Sequence, residues 1–142
     1  MSQAKELVKR YFAEVWDPAN PGDPEALRRI LSPSFKRHVS PVVPPLDREG
    51  QIERLAGIVA ALPDINFRLE ELVGEGDFAA ARATLRGTHL GDFAGIPGTG
   101  KEVTVSVIDV FRAEGDQFAE QWGGPDVWDM VRQLGFKVTA DQ

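Results

Sequence analysis

Apolar residues in the first half of this chain recur every three or four positions, and beyond Pro63 they recur at every second position. A period near 3.6 marks an amphipathic helix, and a period of 2 marks a half-buried strand. Helices first and strands afterwards point to an α+β domain in which one sheet covers one group of helices. Ala4, Leu7, Val8, Tyr11, Phe12 and Val15 fall on one stripe of a first helix. It should stop near Asp17-Pro18, because the residue before proline is pushed out of helical geometry. Asp23 followed by Pro24 starts a second helix whose apolar face is Leu27, Ile30 and Leu31. Ser32-Pro33 ends it, and FKRHVSPVVPPL reads as extended chain, since its prolines forbid continuous helix or a central strand. A third helix starts near Asp47, buries Ile52, Leu55, Val59 and Leu62, and closes at Pro63.

NFRLEELVGE, FAAARATLRGTH, EVTVSVIDVFRAE and QFAEQW are the expected strands, and DVWDMVRQLG a closing helical turn or two. The connections EGD and EGDQ suit antiparallel hairpins, whereas parallel neighbours need crossovers of about a dozen residues or more. A curved, antiparallel-rich sheet wrapped around three helices encloses a space wherever the helices do not fill the concavity. The 142 residues, 42% hydrophobic and 27% charged, fit a single domain over positions 1–142. With no cysteine, disulfides, thiolate metal sites and cysteine nucleophiles are excluded. Two distant histidines add no metal-binding spacing, so no metal is expected. A net charge of −6 without a basic cluster argues against nucleic acid and against acidic membrane surfaces. MSQAKELVKRYF has neither the apolar run of a signal peptide nor that of an anchor, which leaves a cytoplasmic location as the expectation.

The chemistry centres on KEVTVSVIDVFR. Its odd positions read Val103, Val105, Val107, Asp109 and Phe111, so alternation sets Asp109 on the more uniformly apolar face. A carboxylate there must find donors, pair with a cation such as Arg82 or Arg86, or hold its proton. Desolvation raises a carboxyl pKa, which makes Asp109 a candidate proton donor near neutrality. Tyr11 shares the buried stripe of the first helix, where a packed tyrosine with a satisfied hydroxyl is the plainer alternative. His38, in the proline-rich segment, is a candidate base; His89 opens a glycine-rich loop and is expected to be exposed. Trp16, Trp122 and Trp128 are pocket walls, core plugs or interface residues. Gly95-Ile-Pro-Gly-Thr-Gly-Lys101-Glu102 nearly matches a phosphate-binding loop, but Glu102 replaces the metal-binding hydroxyl and a β-branched strand replaces the helix. It is read as a loop between strands.

GTHLGDFAGIP, the IDVFR strand and the RQLG ending, with RYFAEVW and ALRRILSPSFKRH earlier, resemble the SnoaL-like polyketide cyclases over nearly the whole chain. The resemblance implies the cone-shaped fold of the nuclear transport factor two superfamily and a homodimer. In the ring-closing members it implies a cofactor-free aldol cyclisation of a polyketide-like, largely apolar substrate. In the aromatic ring cyclases a histidine looks equivalent to Asp109, and the acid/base aspartate looks equivalent to Gly123, which here is glycine. VKRYF and VIDVFR are also similar to the ketosteroid isomerase segments that carry an oxyanion-hole tyrosine and a protonated aspartic acid. Tyr11 and Asp109 match those positions, and His38 falls near that family's base. The expected catalytic residues are therefore Asp109, His38 and Tyr11. The expected substrate contacts are Trp16, Phe35, Thr84, Val107, Phe111, Gln121, Gly123 and Asp126, with Gly123 and Gly124 leaving room for a ring system. Two alternatives stay open: a binding protein that uses the same pocket without catalysis, and a cyclase that templates a pericyclic closure.

Overall fold

A computed structural model describes residues 3–137. The first helix, α1 (Gln3–Arg10), runs into a π-helical turn at Tyr11–Val15, and together they bury Ala4, Leu7, Val8, Tyr11 and Val15. Helix α2 (Pro24–Ile30) starts at Asp23, whose carboxylate accepts from the Glu25 amide at 3.0 Å. Helix α3 (Arg48–Ala61) is capped in the same way by Asp47, which accepts from the Gly50 amide at 2.8 Å. Each cap satisfies an amide that the first helical turn leaves without a partner. Ile52 and Leu55 are buried as the periodicity predicts, while Val59 is half-buried.

The sheet has five strands in the order β1-β5-β4-β3-β2. They are β1 (Leu31–Arg37), β2 (Asn66–Glu75), β3 (Phe78–Thr88), β4 (Glu102–Glu114) and β5 (Gln117–Pro125). All neighbours are antiparallel except β1 and β5, which run parallel. Two departures from the sequence reading occur here. Leu31 opens a strand instead of closing a helix face, so the extended segment begins before Phe35. Prolines 41, 44 and 45 lie beyond that strand, in the connection to α3, where a missing amide costs no ladder bond.

Inward side chains of β4 follow the predicted parity: Val103, Val105, Val107, Asp109 and Phe111 are all buried. Two bulges bend the neighbouring strands. Register shifts between Leu69 and Glu71 and between Arg112 and Ala113 insert an extra residue in β2 and β5. The consequence is that Leu69 and Leu72, and likewise Phe118 and Gln121, turn to the inner face although three positions apart. This bending wraps the sheet around α1, α2 and α3. A short helix, α4 (Val127–Gln133), follows β5 and packs on β4.

His89 contradicts its expected exposure: it is 1% exposed, with Nδ1 3.0 Å from the Thr99 hydroxyl and accepting from the Thr99 amide at 3.2 Å. Its main chain also pairs with Lys101 and Gly100, so it extends β3 inward instead of opening a free loop. The glycine-rich stretch does join β3 to β4, and a strand rather than a helix follows it.

Candidate functional site

Asp109 lies on the central strand β4, opposite Ala81 on β3 and Gly123 on β5. These small neighbours leave its carboxyl unobstructed on the concave face, where it is 6% exposed. Gln121, turned inward by the β5 bulge, donates through Nε2 to Asp109 Oδ1 at 3.2 Å. Burial raises the Asp109 pKa from 3.8 to about 6; the charge of Arg37, the Gln121 hydrogen bond and the charge of Arg54 hold it from rising further. Both the acid and its anion are consequently populated around neutrality.

Tyr11 reaches the same place from the π-helical turn, where the wider backbone keeps its ring on the buried face. Burial, followed by the charge of Asp109, pushes its hydroxyl up to about 12, against hydrogen bonding to Trp16, the Arg37 charge and hydrogen bonding to Gln121. It is a proton-bearing donor throughout the physiological range.

Asp109, Tyr11 and Gln121 line a narrow, partly open cavity of about 40 Å³, well below the usual range of about 300–1,000 Å³ for small-molecule sites, so a ligand of ordinary size must extend through its open side. Its walls are apolar: Phe12, Trp16, Leu55, Ile58, Phe67 and Val107. Trp16 and Phe67 rings meet at 4.5 Å and close one side. Three further polar residues enter the cavity, namely Arg37 from the end of β1 and Gln51 and Arg54 from α3. Arg37 is 2% exposed; its Nη2 donates to the Gly123 carbonyl, and its Nε and Nη1 have no partner among the described residues. Burial lowers the pKa of both arginines, with no loss of charge at working pH.

Of the residues expected from sequence, the cavity brings together Asp109, Tyr11, Trp16, Val107 and Gln121. Others lie elsewhere. His38 follows Arg37 on the opposite face of the chain, where Nε2 sits 2.7 Å from Glu120 Oε2 and the ring stacks on Trp122 at 4.9 Å. It does not line the cavity, so the geometry removes it as the base. Phe35 and Phe111 are core residues, Phe111 stacking on Phe118 at 4.3 Å. Thr84 faces outward and donates to Glu70 Oε2 at 2.6 Å. Asp126 is spent as the cap of α4, accepting from the Asp129 amide at 3.0 Å.

Gly123 makes no room for a ligand. A Cβ there would collide with the Ile108 carbonyl, and its φ of +95° disfavours any side chain. Its glycine lets β5 approach β4, and an acid at this position has no space on this backbone. Gly124 does line the cavity, where a Cβ would press on Arg37 Nη2 at 3.0 Å. Neither Arg82 nor Arg86 reaches Asp109: both are exposed, and Arg82 pairs with Glu71 at 2.6 Å. Arg37, Gln51 and Arg54 were missed. Parity counted from buried Phe35 along β1 would have placed Arg37 inward and His38 outward. Among the described residues no cluster of three His, Asp or Glu side chains could hold a metal ion, and no helix is long and apolar enough to cross a membrane.

The family model of the SnoaL-like polyketide cyclases matches residues 6–134. No curated protein matches the chain significantly. Among solved structures, TsrD from Streptomyces laurentii is 32% identical, with 94% of this chain and 95% of that one covered and a TM-score of 0.79. IdmH from Streptomyces antibioticus is 28% identical, with 94% and 99% covered and a TM-score of 0.79. A SnoaL-like polyketide cyclase from Agrobacterium tumefaciens, 21% identical over 95% and 100% at a TM-score of 0.77, shares the fold. A family-model match over nearly all of the described residues, together with solved structures that superpose over more than nine-tenths of the chain, places the chain in the SnoaL-like polyketide cyclase family.

Proposed function

We propose that the protein is a cofactor-independent cyclase or isomerase acting on a polyketide-like substrate, with Asp109 as its single acid/base group. The observation that carries this reading is a buried carboxyl poised at about 6 on the wall of an apolar cavity, beside a tyrosine that keeps its proton. Asp109 as the anion takes a proton from a carbon flanked by carbonyls. The electron pair moves onto the carbonyl oxygen, where the Tyr11 hydroxyl donates to the developing enolate. The enolate carbon then attacks a second carbonyl of the same molecule, and the resulting alkoxide recovers the proton from Asp109. Atoms and charge balance, and no external oxidant or reductant enters. Gln121 holds the Asp109 carboxyl in place through its 3.2 Å hydrogen bond.

Asp109→Asn keeps the shape and the hydrogen bond but cannot shuttle a proton, so turnover should fall by about 10²–10⁴-fold. Product detection by mass spectrometry on a panel of linear poly-β-ketones, comparing wild type with this variant, is the measurement. Full turnover by a folded Asn variant would overturn the assignment. A second reading, a binding protein without catalysis, is favoured by one observation: Asp109 is the only carboxyl lining the cavity among the described residues. It predicts ligand retention with no conversion above background. A cytoplasmic location and a homodimer belong to the same proposal.

A further inference from the structure

Two cationic side chains and one carboxyl face this cavity, and the hydrogen bonds of one cation are incomplete. Arg37 comes from β1 and Arg54 from α3; Asp109 comes from β4, and Tyr11, from the π-helical turn, is neutral. Counting charges, the lining carries +1 with Asp109 ionised and +2 with it protonated, inside a chain whose net charge is −6. A buried guanidinium with incomplete hydrogen bonding is costly, and Arg37, though its Nη2 donates to the Gly123 carbonyl, leaves Nε and Nη1 without a partner among the described residues at 2% exposure. Nε and Nη1 lie on opposite sides of the guanidinium, and each can donate one charge-assisted hydrogen bond to an oxyanion. Two acceptors are also unused: Gln121 Oε1 and Gln51 Oε1 are buried with no partner among the described residues. The residues lining the cavity thus hold both donors and acceptors without partners among the described residues, together with aromatic and aliphatic walls.

We infer that the cavity binds a carboxylic acid: its carboxylate on Arg37, assisted by Arg54, an aromatic or alicyclic body lying along the apolar wall and out through the open side, and a hydroxyl or N–H donating to Gln121 or Gln51. The assignment rests on the cavity being the substrate site and narrows the substrate class for it. A monoanion matches the excess charge of one that the ionised site carries. Phosphate shares the oxyanion chemistry but brings more charge than the ionised site balances. The carboxylate also occupies the guanidinium whose field holds down the Asp109 pKa, so binding favours the protonated form of that acid.

The test uses three probes of the same shape: 2-naphthoate, the neutral 2-acetonaphthone and 2-naphthyl phosphate. Affinities are measured by titration calorimetry on the full chain, for wild type, Arg37→Gln, Arg37→Lys and Arg54→Gln, with circular dichroism to establish folding. Naphthoate should bind wild type more tightly than the ketone, and Arg37→Gln should weaken it at least about tenfold while leaving the ketone unchanged. Arg37→Lys, which keeps the charge but not the spread of the guanidinium donors, should fall between. Should the Arg37 variants fail to fold, the part-exposed Arg54 carries the test, and Arg54→Gln should weaken naphthoate selectively. Absence of naphthoate binding at millimolar concentration, a ketone bound as tightly, or preference for the phosphate overturns the inference. These readouts need no turnover: a protein that binds naphthoate but converts nothing sinks the cyclase reading and leaves the carboxylate site standing.

Discussion

Keeping Asp109 buried costs stability once it ionises, and the cost has a definite pH window. Its folded pKa of about 6 lies above the ordinary 3.8, so between those values the folded chain holds more proton than the unfolded one. Stability from this group therefore falls as pH rises from about 4 to 6 and stays lower above that. Asp109→Asn removes the titration, and relative to wild type it should gain up to ~3 kcal/mol above pH 7 and nothing near pH 4. Urea unfolding of both proteins at several pH values isolates the difference from Glu14, Glu70 and Glu120, whose lowered pKa values act in the opposite sense. A pH-independent difference would exclude the assigned burial energetics. His38 should behave in the contrary way: His38→Ala breaks the Glu120 contact on the outer face and should leave turnover near that of wild type. At this scale alternation revealed Asp109 and Val107, and helical spacing revealed Tyr11. Arg37 and Arg54 stayed hidden because a charged residue in a proline-flanked segment or on a helix reads as solvated. Their burial comes from distant elements closing over them, which no local pattern records.

The elements were mostly written in periodicity, and the departures share a cause. Strand β4 spans the predicted EVTVSVIDVFRAE, and helices α2 and α3 start at the predicted aspartates. What local pattern could not supply was the parallel pairing of β1 with β5, a contact between segments some eighty residues apart, with Arg37 opposite Gln121. The bulges were hidden as well, because an inserted residue breaks the very alternation used to find strands. The end of β5 shows how strictly such a site is built. Gly123→Ala forces a side chain into a left-handed backbone and against the Ile108 carbonyl. The expected loss is about 3 kcal/mol, a drop in Tm on the order of 10 °C for a chain of this size. Thermal melts monitored by circular dichroism read it directly. Gly123→Asp, which puts an acid where the resemblance would set that of the aromatic ring cyclases, should destabilise at least as much and raise no turnover. An unchanged melting point for either would mean that β5 has slack the backbone does not show.

For the molecule as a whole, the outer face of the sheet bears on the proposed dimer. Cross-strand registers align Val73 with Ala80, Ala80 with Val110, and Val110 with Trp122, an apolar rung across four strands. Phe78 and Ile108 flank it, at 47% and 57% exposure, and Val73 is 64% exposed. A monomer has little reason to keep such a row in water, because a contiguous apolar patch favours association. The helices already cover the opposite face of the sheet, so a second copy meeting this face would bury the row without touching the cavity. Light scattering on the eluting peak should give about twice the 15.6 kDa chain mass at micromolar concentration. Val73→Glu and Ile108→Glu place charges where the side chains are more than half exposed, so the monomer fold should survive unchanged by circular dichroism. Each should shift the protein to the monomer mass and leave naphthoate affinity as it was, since neither residue lines the cavity. A wild-type monomer, or a dimer indifferent to both substitutions, would move the interface off this face.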